Sequence, residues 1–226
     1  MSRHHGPQTV MDGLALYLDA GNPKSYPGTG TLWKDLSGNG NHGTLMMGPT
    51  STPSSIVFDG VDDYVTLGTR PSLSFTEEET VIWWCRPTNI DMDRRAHVGA
   101  RRSGFLTIYG SQLGYESTNH LGLWQNNLYT ASGVVQNNTW QQFCFTFIAN
   151  GPIVLYRNGI KVGEKTAVGS QAVASAEYLI GTEAFGGWGT PMYFMGDISI
   201  VQNYSRSLSA SEIKQNFSAV RGRYGI

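Results

Sequence analysis

Ile56-Val-Phe-Asp-Gly-Val-Asp-Asp-Tyr-Val-Thr-Leu67 sets the pattern for the whole chain. It reads as two short β-runs, Ile56–Phe58 and Tyr64–Leu67, separated by an acidic bend. Asp59-Gly60 supplies the positive-φ position that a tight reversal needs, because glycine has no Cβ to collide with the backbone. In the second run Tyr64 and Thr66 share one face and Val65 and Leu67 the other, which is the period of a strand. Asp59, Asp62 and Asp63 crowd a single bend. Their charge must be held in water, in backbone hydrogen bonds or on a cation.

The same short-strand grammar runs in both directions from this stretch. Leu14–Asp19 is an apolar run bounded by Gly13 and Gly21, and a loop rich in breakers follows it. Trp33 and Leu36 are expected to pin the Gly/Asn-rich segment 33–44 to the core. Glu77-Glu78-Glu79 reads as a solvated loop, since consecutive side chains point in different directions. Val81–Cys85 is apolar at every position and therefore covered on both faces, and Pro87 ends it. Residues 89–104 read as a charged, exposed loop. Phe105–Tyr109 with Leu113–Tyr115, and Leu121–Trp124 with Leu128–Tyr129, read as hairpins. In Trp140–Ile148, Phe143, Phe145 and Phe147 share one face, and Gln142, Cys144 and Thr146 the other. Asn158-Gly159, between Ile153–Arg157 and Ile160–Val162, is the strongest hairpin signal. Tyr178–Gly181 and Met192–Gln202 are the last strand regions. Ser209 and Glu212 form a capping-box pattern, with Ile213, Phe217 and Val220 at helical spacing.

About a dozen strands and one late helix predict an all-β fold: a two-sheet antiparallel sandwich of jelly-roll type with one short C-terminal helix. The expected organisation is an N-terminal arm over 1–12, one sandwich domain over 13–217 and a C-terminal tail over 218–226. A length of 226 residues with 40% hydrophobic and 12% aromatic content can bury one substantial core. Only 15% of residues are charged and 28 are glycine, which fits many tight turns and argues against a helical bundle or a disordered chain. A net charge of −1 offers no basic face for nucleic acid. The local cluster Arg94, Arg95, Arg101 and Arg102 is diluted by Asp91 and Asp93 and reads as a solvated loop or protein contact. Cys85 and Cys144 are read as two separate buried thiols, although neighbouring strands could bridge them. No export signal and no membrane-length apolar run is visible, so synthesis in a cytoplasm without membrane insertion is expected.

Six ordered pieces then carry a resemblance: Trp33–Thr44, Phe58–Val65, Trp140 opening its strand, Tyr156–Val162, Ile180-Gly181 with Met195–Ile198, and Tyr204–Ile213. Together they resemble the laminin-G-like, concanavalin A-like lectin/glucanase superfamily across residues 13–217. Leu18–Pro27 and Arg221–Ile226 further resemble LamG-like proteins of tailed bacteriophages. That resemblance implies a virion component (a fibre, tail appendage or capsid decoration) made in the host cytoplasm. It would form a homo-oligomer such as a trimer and contact other virion proteins and host cell-surface glycan. The family pattern often has an acid two positions after the first Asp of its Asp-Ile pair. Here that position is Ser199.

Glycosidases of this fold set carboxylates on alternate residues of one strand, about 5 Å apart in retaining enzymes. No such strand is present, nor any Gly-x-Ser-x-Gly, His-Glu-x-x-His or P-loop motif. The expectation is therefore a protein without catalytic residues. The alternative is a carbohydrate-binding module or glycoside hydrolase of the same fold, and a third reading is architectural cement. Asp59, Asp62, Asp63 and Asp197 are candidates for a structural Ca²⁺. The competing reading has Asp59 and Asp62 capping turns while Asp63 and Asp197 accept backbone N–H groups. For glycan, flat aromatics beside amides are wanted at loop tips: Trp124 with Asn126 and Asn127, Trp188 among glycines, and Tyr109 and Tyr115 in support. Core or protein-interface roles compete for the same rings.

Overall fold

The computed structural model describes residues 7–73, 77–88, 98–100, 107–109, 120–123, 128–129, 133–166, 177–183 and 192–226. β1 (Leu14–Asp19) is followed by β2 (Leu32–Trp33), β3 (Gly43–Met46), β4 (Thr50–Thr52), β5 (Ser55–Asp59) and β6 (Tyr64–Thr69). The long β7 (Glu78–Pro87) comes next, then the short β8 (Val98–Ala100), β9 (Thr107–Tyr109), β10 (His120–Leu123) and β11 (Leu128–Tyr129). The aromatic strand β12 (Gln141–Ile148) leads into the hairpin β13 (Pro152–Arg157) and β14 (Ile160–Thr166). β15 (Glu177–Ile180), β16 (Thr182–Glu183), β17 (Met192–Tyr193), β18 (Met195–Tyr204) and the helix α1 (Ala210–Val220) close the order.

Two antiparallel sheets form the sandwich. The larger runs β14-β13-β12-β7-β18-β5-β4, and the smaller β2-β3-β6-β15-β8. β18 carries β5 against its first half and β1 against its second, which makes the larger sheet eight-stranded. Smaller ribbons β11-β10-β9 and β16-β17 complete the described strands.

Alternation decides what lies between the layers. Phe143, Phe145 and Phe147 of β12 face inward with Val81, Trp83 and Cys85 of β7, against Leu45, Val65, Leu67 and Ile180 of the smaller sheet. Burying one such ring contributes on the order of 2 kcal/mol, so this stripe is the main reason the sheets close. The opposite residues Ile82, Cys144, Tyr156 and Tyr204 face outward and are covered by Leu208 and by Ile213 of α1. β7 is thus buried on both faces, as its unbroken apolar run predicts. Cys85 and Cys144 are buried thiols not joined in a disulfide, on opposite faces of adjacent strands, a geometry that keeps them apart. Burial raises both thiol pKa values.

Asn158 (φ 51°) and Gly159 (φ 74°) make the expected hairpin, since both central positions of that turn type need positive φ. Ser209 caps α1, its side chain accepting from the Glu212 N–H while Glu212 accepts from the Ser209 N–H. Arg206 binds the same carboxylate at 2.6 Å and, as the leading cause, lowers the Glu212 pKa to about 2.

Several expectations are corrected. The two runs flanking the acidic bend do not pair with each other: β5 lies in the larger sheet and β6 in the smaller, so the bend crosses between layers. Glu78 and Glu79 are not a solvated loop but the start of β7, and Glu79 is buried. Val98–Ala100, within the segment read as a loop, pairs with β15. β9 pairs with β10; Leu113–Tyr115, its expected partner, lies outside the described residues. Trp33 pins its loop as expected, but its companion is Asp35 and not the half-buried Leu36. The Asp35 carboxylate accepts from the backbone N–H of Tyr17, Ser37 and Asn41 and from the Ser37 hydroxyl. Near the end of the N-terminal stretch, Val10 N–H donates to Asn216 Oδ1, and Tyr204 Oη donates to the Val10 carbonyl.

Candidate functional site

The inter-sheet bend places Asp59, Asp62 and Asp63 so that one oxygen of each lies within 4.8 Å of the others. Gly60 takes φ 79°, which lets the chain leave β5 and turn toward the other sheet. Asp59 Oδ1 accepts from the N–H of Val61 at 2.7 Å and of Asp62 at 3.4 Å. Asp63 Oδ2 accepts from the Asp59 N–H at 3.0 Å. Burial raises the Asp63 pKa, and the neighbouring charges of Asp59 and Asp62 raise it further. An all-oxygen donor set of this kind suits a hard cation, whose charge would relieve that repulsion. The remaining ligands would have to come from backbone carbonyls and water, because two carboxylate oxygens already serve the bend itself.

Asp197 does not join this group. It faces outward from β18, where Ser55 Oγ donates to Oδ1 at 2.7 Å and Arg86 Nε donates to Oδ2 at 3.0 Å. Of the aromatic–amide candidates, Tyr109 lies in β9 opposite His120. Trp124, Asn126, Asn127, Tyr115 and Trp188 lie outside the described residues.

Two features escaped the sequence reading. Glu79 points between the sheets, where its carboxylate accepts from Asn203 Nδ2 at 2.8 Å. Burial is the dominant cause that raises its pKa to about 7. Nothing in a run of three glutamates marks the middle of a strand's inward face; only the register of β7 against β12 does.

The second feature is on the outer face of the larger sheet. Arg223 grips the buried Asp19 with two bonds of 2.6 and 3.0 Å. Next to it the Tyr224 ring lies 4.5 Å from the centroids of both Trp84 and Trp140. The Tyr224 hydroxyl donates to Ser199 Oγ at 2.6 Å. The Arg-Gly-Arg-Tyr ending was the available signal, an arginine and an aromatic ring adjacent in a segment otherwise without apolar pattern.

The outward positions on the three central strands are Glu78, Thr80, Ile82, Trp84 and Arg86 on β7, Gln142, Cys144 and Thr146 on β12, and Asp197, Ile200, Gln202 and Tyr204 on β18. The two carboxylates among them stand on different strands and at opposite ends of β7, Glu78 at its start and Asp197 beside Arg86 near its end. Each buried carboxylate among the described residues is engaged: Asp19 by Arg223, Asp35 by backbone N–H groups, Asp63 by Asp59, Glu79 by Asn203 and Asp197 by Arg86.

Domain 4 of AbnA, an extracellular arabinanase from Geobacillus stearothermophilus solved in complex with arabinotriose, superposes with a TM-score of 0.64 at 15% identity. The match covers 91% of this chain and 98% of that one. The binding domain of Paraclostridial Mosquitocidal Protein 1 matches at TM-score 0.62 and 16% identity, over 92% of this chain and 52% of that one. Trypanosoma rangeli sialidase matches at 0.62 and 14% identity, over 92% of this chain but only 33% of the sialidase. These likenesses are of fold. No curated protein matches by sequence. A family profile described as "Concanavalin A-like lectin/glucanases superfamily" matches residues 59–214, more than half of the chain. With its two antiparallel sheets and single C-terminal helix, the chain belongs to the concanavalin A-like lectin/glucanase superfamily.

Proposed function

We propose that the chain is a non-enzymatic, lectin-like structural and adhesion protein of a tailed-phage virion. It binds neighbouring particle proteins and host cell-surface glycan. The observation that carries the non-enzymatic part is the outer face of the larger sheet. Acid and nucleophile would need to stand on alternate residues of one strand there, yet the outward carboxylates of the central strands, Glu78 and Asp197, stand on different strands at opposite ends of β7, and Asp197 is paired with Arg86. Part of that face is also covered by the chain's own helix. Sugar binding is supported by the fold and by the near end-to-end likeness to an arabinotriose-bound domain. The particle context is supported by the segments Leu18–Pro27 and Arg221–Ile226, which resemble phage LamG-like proteins. A homo-oligomeric assembly, with a trimer as its simplest form, belongs to the same reading.

The acidic bend is proposed to hold a structural Ca²⁺ through Asp59, Asp62 and Asp63. The ion would tie the sheet-to-sheet crossing together rather than activate water. No helix among the described residues is long and apolar enough to cross a membrane.

A reconstruction of intact particles tests the assignment. Density for this sandwich at a repeated external position, in contact with other virion proteins, is expected. Infectious particles assembled without the chain and still adsorbing normally to host envelope would contradict it. The sialidase likeness favours one competing reading, a hydrolase fragment, and glycan turnover by the isolated chain would establish that instead.

A further inference from the structure

We propose that Trp84 and Trp140 form a second saccharide seat on the outer face of the larger sheet, closed in this structure by the chain's own Tyr224. The inference rests on the lectin-like reading above but concerns a different part of the molecule from the loop aromatics considered there. Its basis is the sheet register. Gln142 stands directly opposite Trp84 across the β12–β7 pair, and opposed residues of antiparallel strands project to the same face about 5 Å apart. Trp140 is two residues before Gln142 and so continues that face, with the Arg86 guanidinium 5.7 Å from its ring centroid. Two indoles, one amide and one guanidinium therefore converge.

Tyr224 fills the ring position of this seat, lying 4.5 Å from each indole centroid. Yet it leaves the seat chemically incomplete. Gln142 is 1% exposed, and neither Nε2 nor Oε1 has a hydrogen-bond partner among the described residues. A phenol ring offers such an amide nothing, and a buried amide left unpaired is destabilising. A pyranose or furanose ring stacks on the same indoles through its C–H face and brings hydroxyls that both donate and accept. It is the kind of ligand that satisfies the aromatic platform and the amide together.

The closing segment is short and is attached at few points. Arg223 binds Asp19, Tyr224 Oη binds Ser199 Oγ, and the preceding Gly222 has open space around it. Release of the Arg223–Asp19 pair would lift residues 221–226 without disturbing the inter-sheet core, which lies on the other face.

The test is an array of immobilised oligosaccharides probed with three forms of the chain: full length, Tyr224→Ala, and a form ending at Gly222. The Tyr224→Ala protein keeps the Arg223 latch and guards against misfolding of the shortened one. The expected result is at least tenfold stronger retention on a subset of saccharides by both altered forms. That gain should disappear in Trp140→Ala and be competed by the peptide Arg-Gly-Arg-Tyr-Gly-Ile. Identical array profiles for all three forms would overturn the inference while leaving the lectin-like reading intact if the full chain binds. Binding gained only by the altered forms supports the inference and counts against the loop aromatics as the adhesive site. Retention by none of the forms overturns both. Binding of the peptide alone by the shortened form overturns the saccharide assignment and makes the seat a peptide latch.

Discussion

Glu79→Gln should stabilise this protein at neutral and alkaline pH and do little in acid. The carboxylate is buried between the sheets and its pKa is raised to about 7 from an ordinary 4.5, chiefly by loss of solvation and with only Asn203 opposing. A carboxyl group whose folded-state pKa lies above the unfolded one binds its proton more tightly when folded. Its ionisation therefore costs nothing below about pH 4.5, costs progressively more between 4.5 and 7, and reaches a plateau above 7. A difference of that size corresponds to about 3 kcal/mol. Glutamine keeps the acceptor for Asn203 Nδ2 and removes the buried charge. Urea unfolding of both proteins at pH 5, 6, 7 and 8 isolates the effect, because other titrating groups such as Asp63 are common to the two. The gap should open from about 1 kcal/mol at pH 5 to about 3 kcal/mol in favour of the variant at pH 8. A gap that is independent of pH, or that favours the native protein at pH 8, would refute the argument.

Three further outcomes are expected. Gly196→Ala should destabilise the fold by at least about 3 kcal/mol in denaturant titration: the glycine sits at φ 135°, and an added Cβ would lie 2.3 Å from the Arg86 carbonyl in the middle of the sheet. Chelator should lower the Tm of protein purified with calcium. A hundredfold excess over the dissociation constant is worth about 2.7 kcal/mol, and Asp62→Asn should abolish the shift; an unchanged Tm would leave the bend held by its own hydrogen bonds. Cys85 and Cys144 should resist a thiol reagent in the folded protein and both react in denaturant, since each is fully buried with a raised pKa; rapid modification of either in the folded state would contradict the packing.

Much of the fold was legible because it is written in short-range pattern. The three phenylalanines of β12, the Asn158-Gly159 turn and the Ser209–Glu212 cap each state their geometry within a few residues. What stayed hidden depends on which strands become neighbours. The acidic bend reads as a reversal, yet β5 and β6 separate into different layers, and only long-range pairing with β18 and β15 decides that. Glu79 is invisible for the same reason, since its burial is a consequence of register. Asp197 belongs with the acidic bend by residue type, but the chain gives it to Ser55 and Arg86. The closing contact of Arg223 with Asp19 spans 204 positions, and no local rule could have joined them. Of the glycan candidates, only Tyr109 falls on a described strand.

Binding without bond cleavage can be measured directly. Labelled oligosaccharides, arabinotriose and sialylated chains among them, are incubated with the purified chain, and retention and newly released reducing ends are followed in the same samples. Retention of at least one saccharide class with no release above the protein-free rate is predicted. Catalytic release that is lost when a single carboxylate is replaced by its amide would show that the chain cleaves glycan.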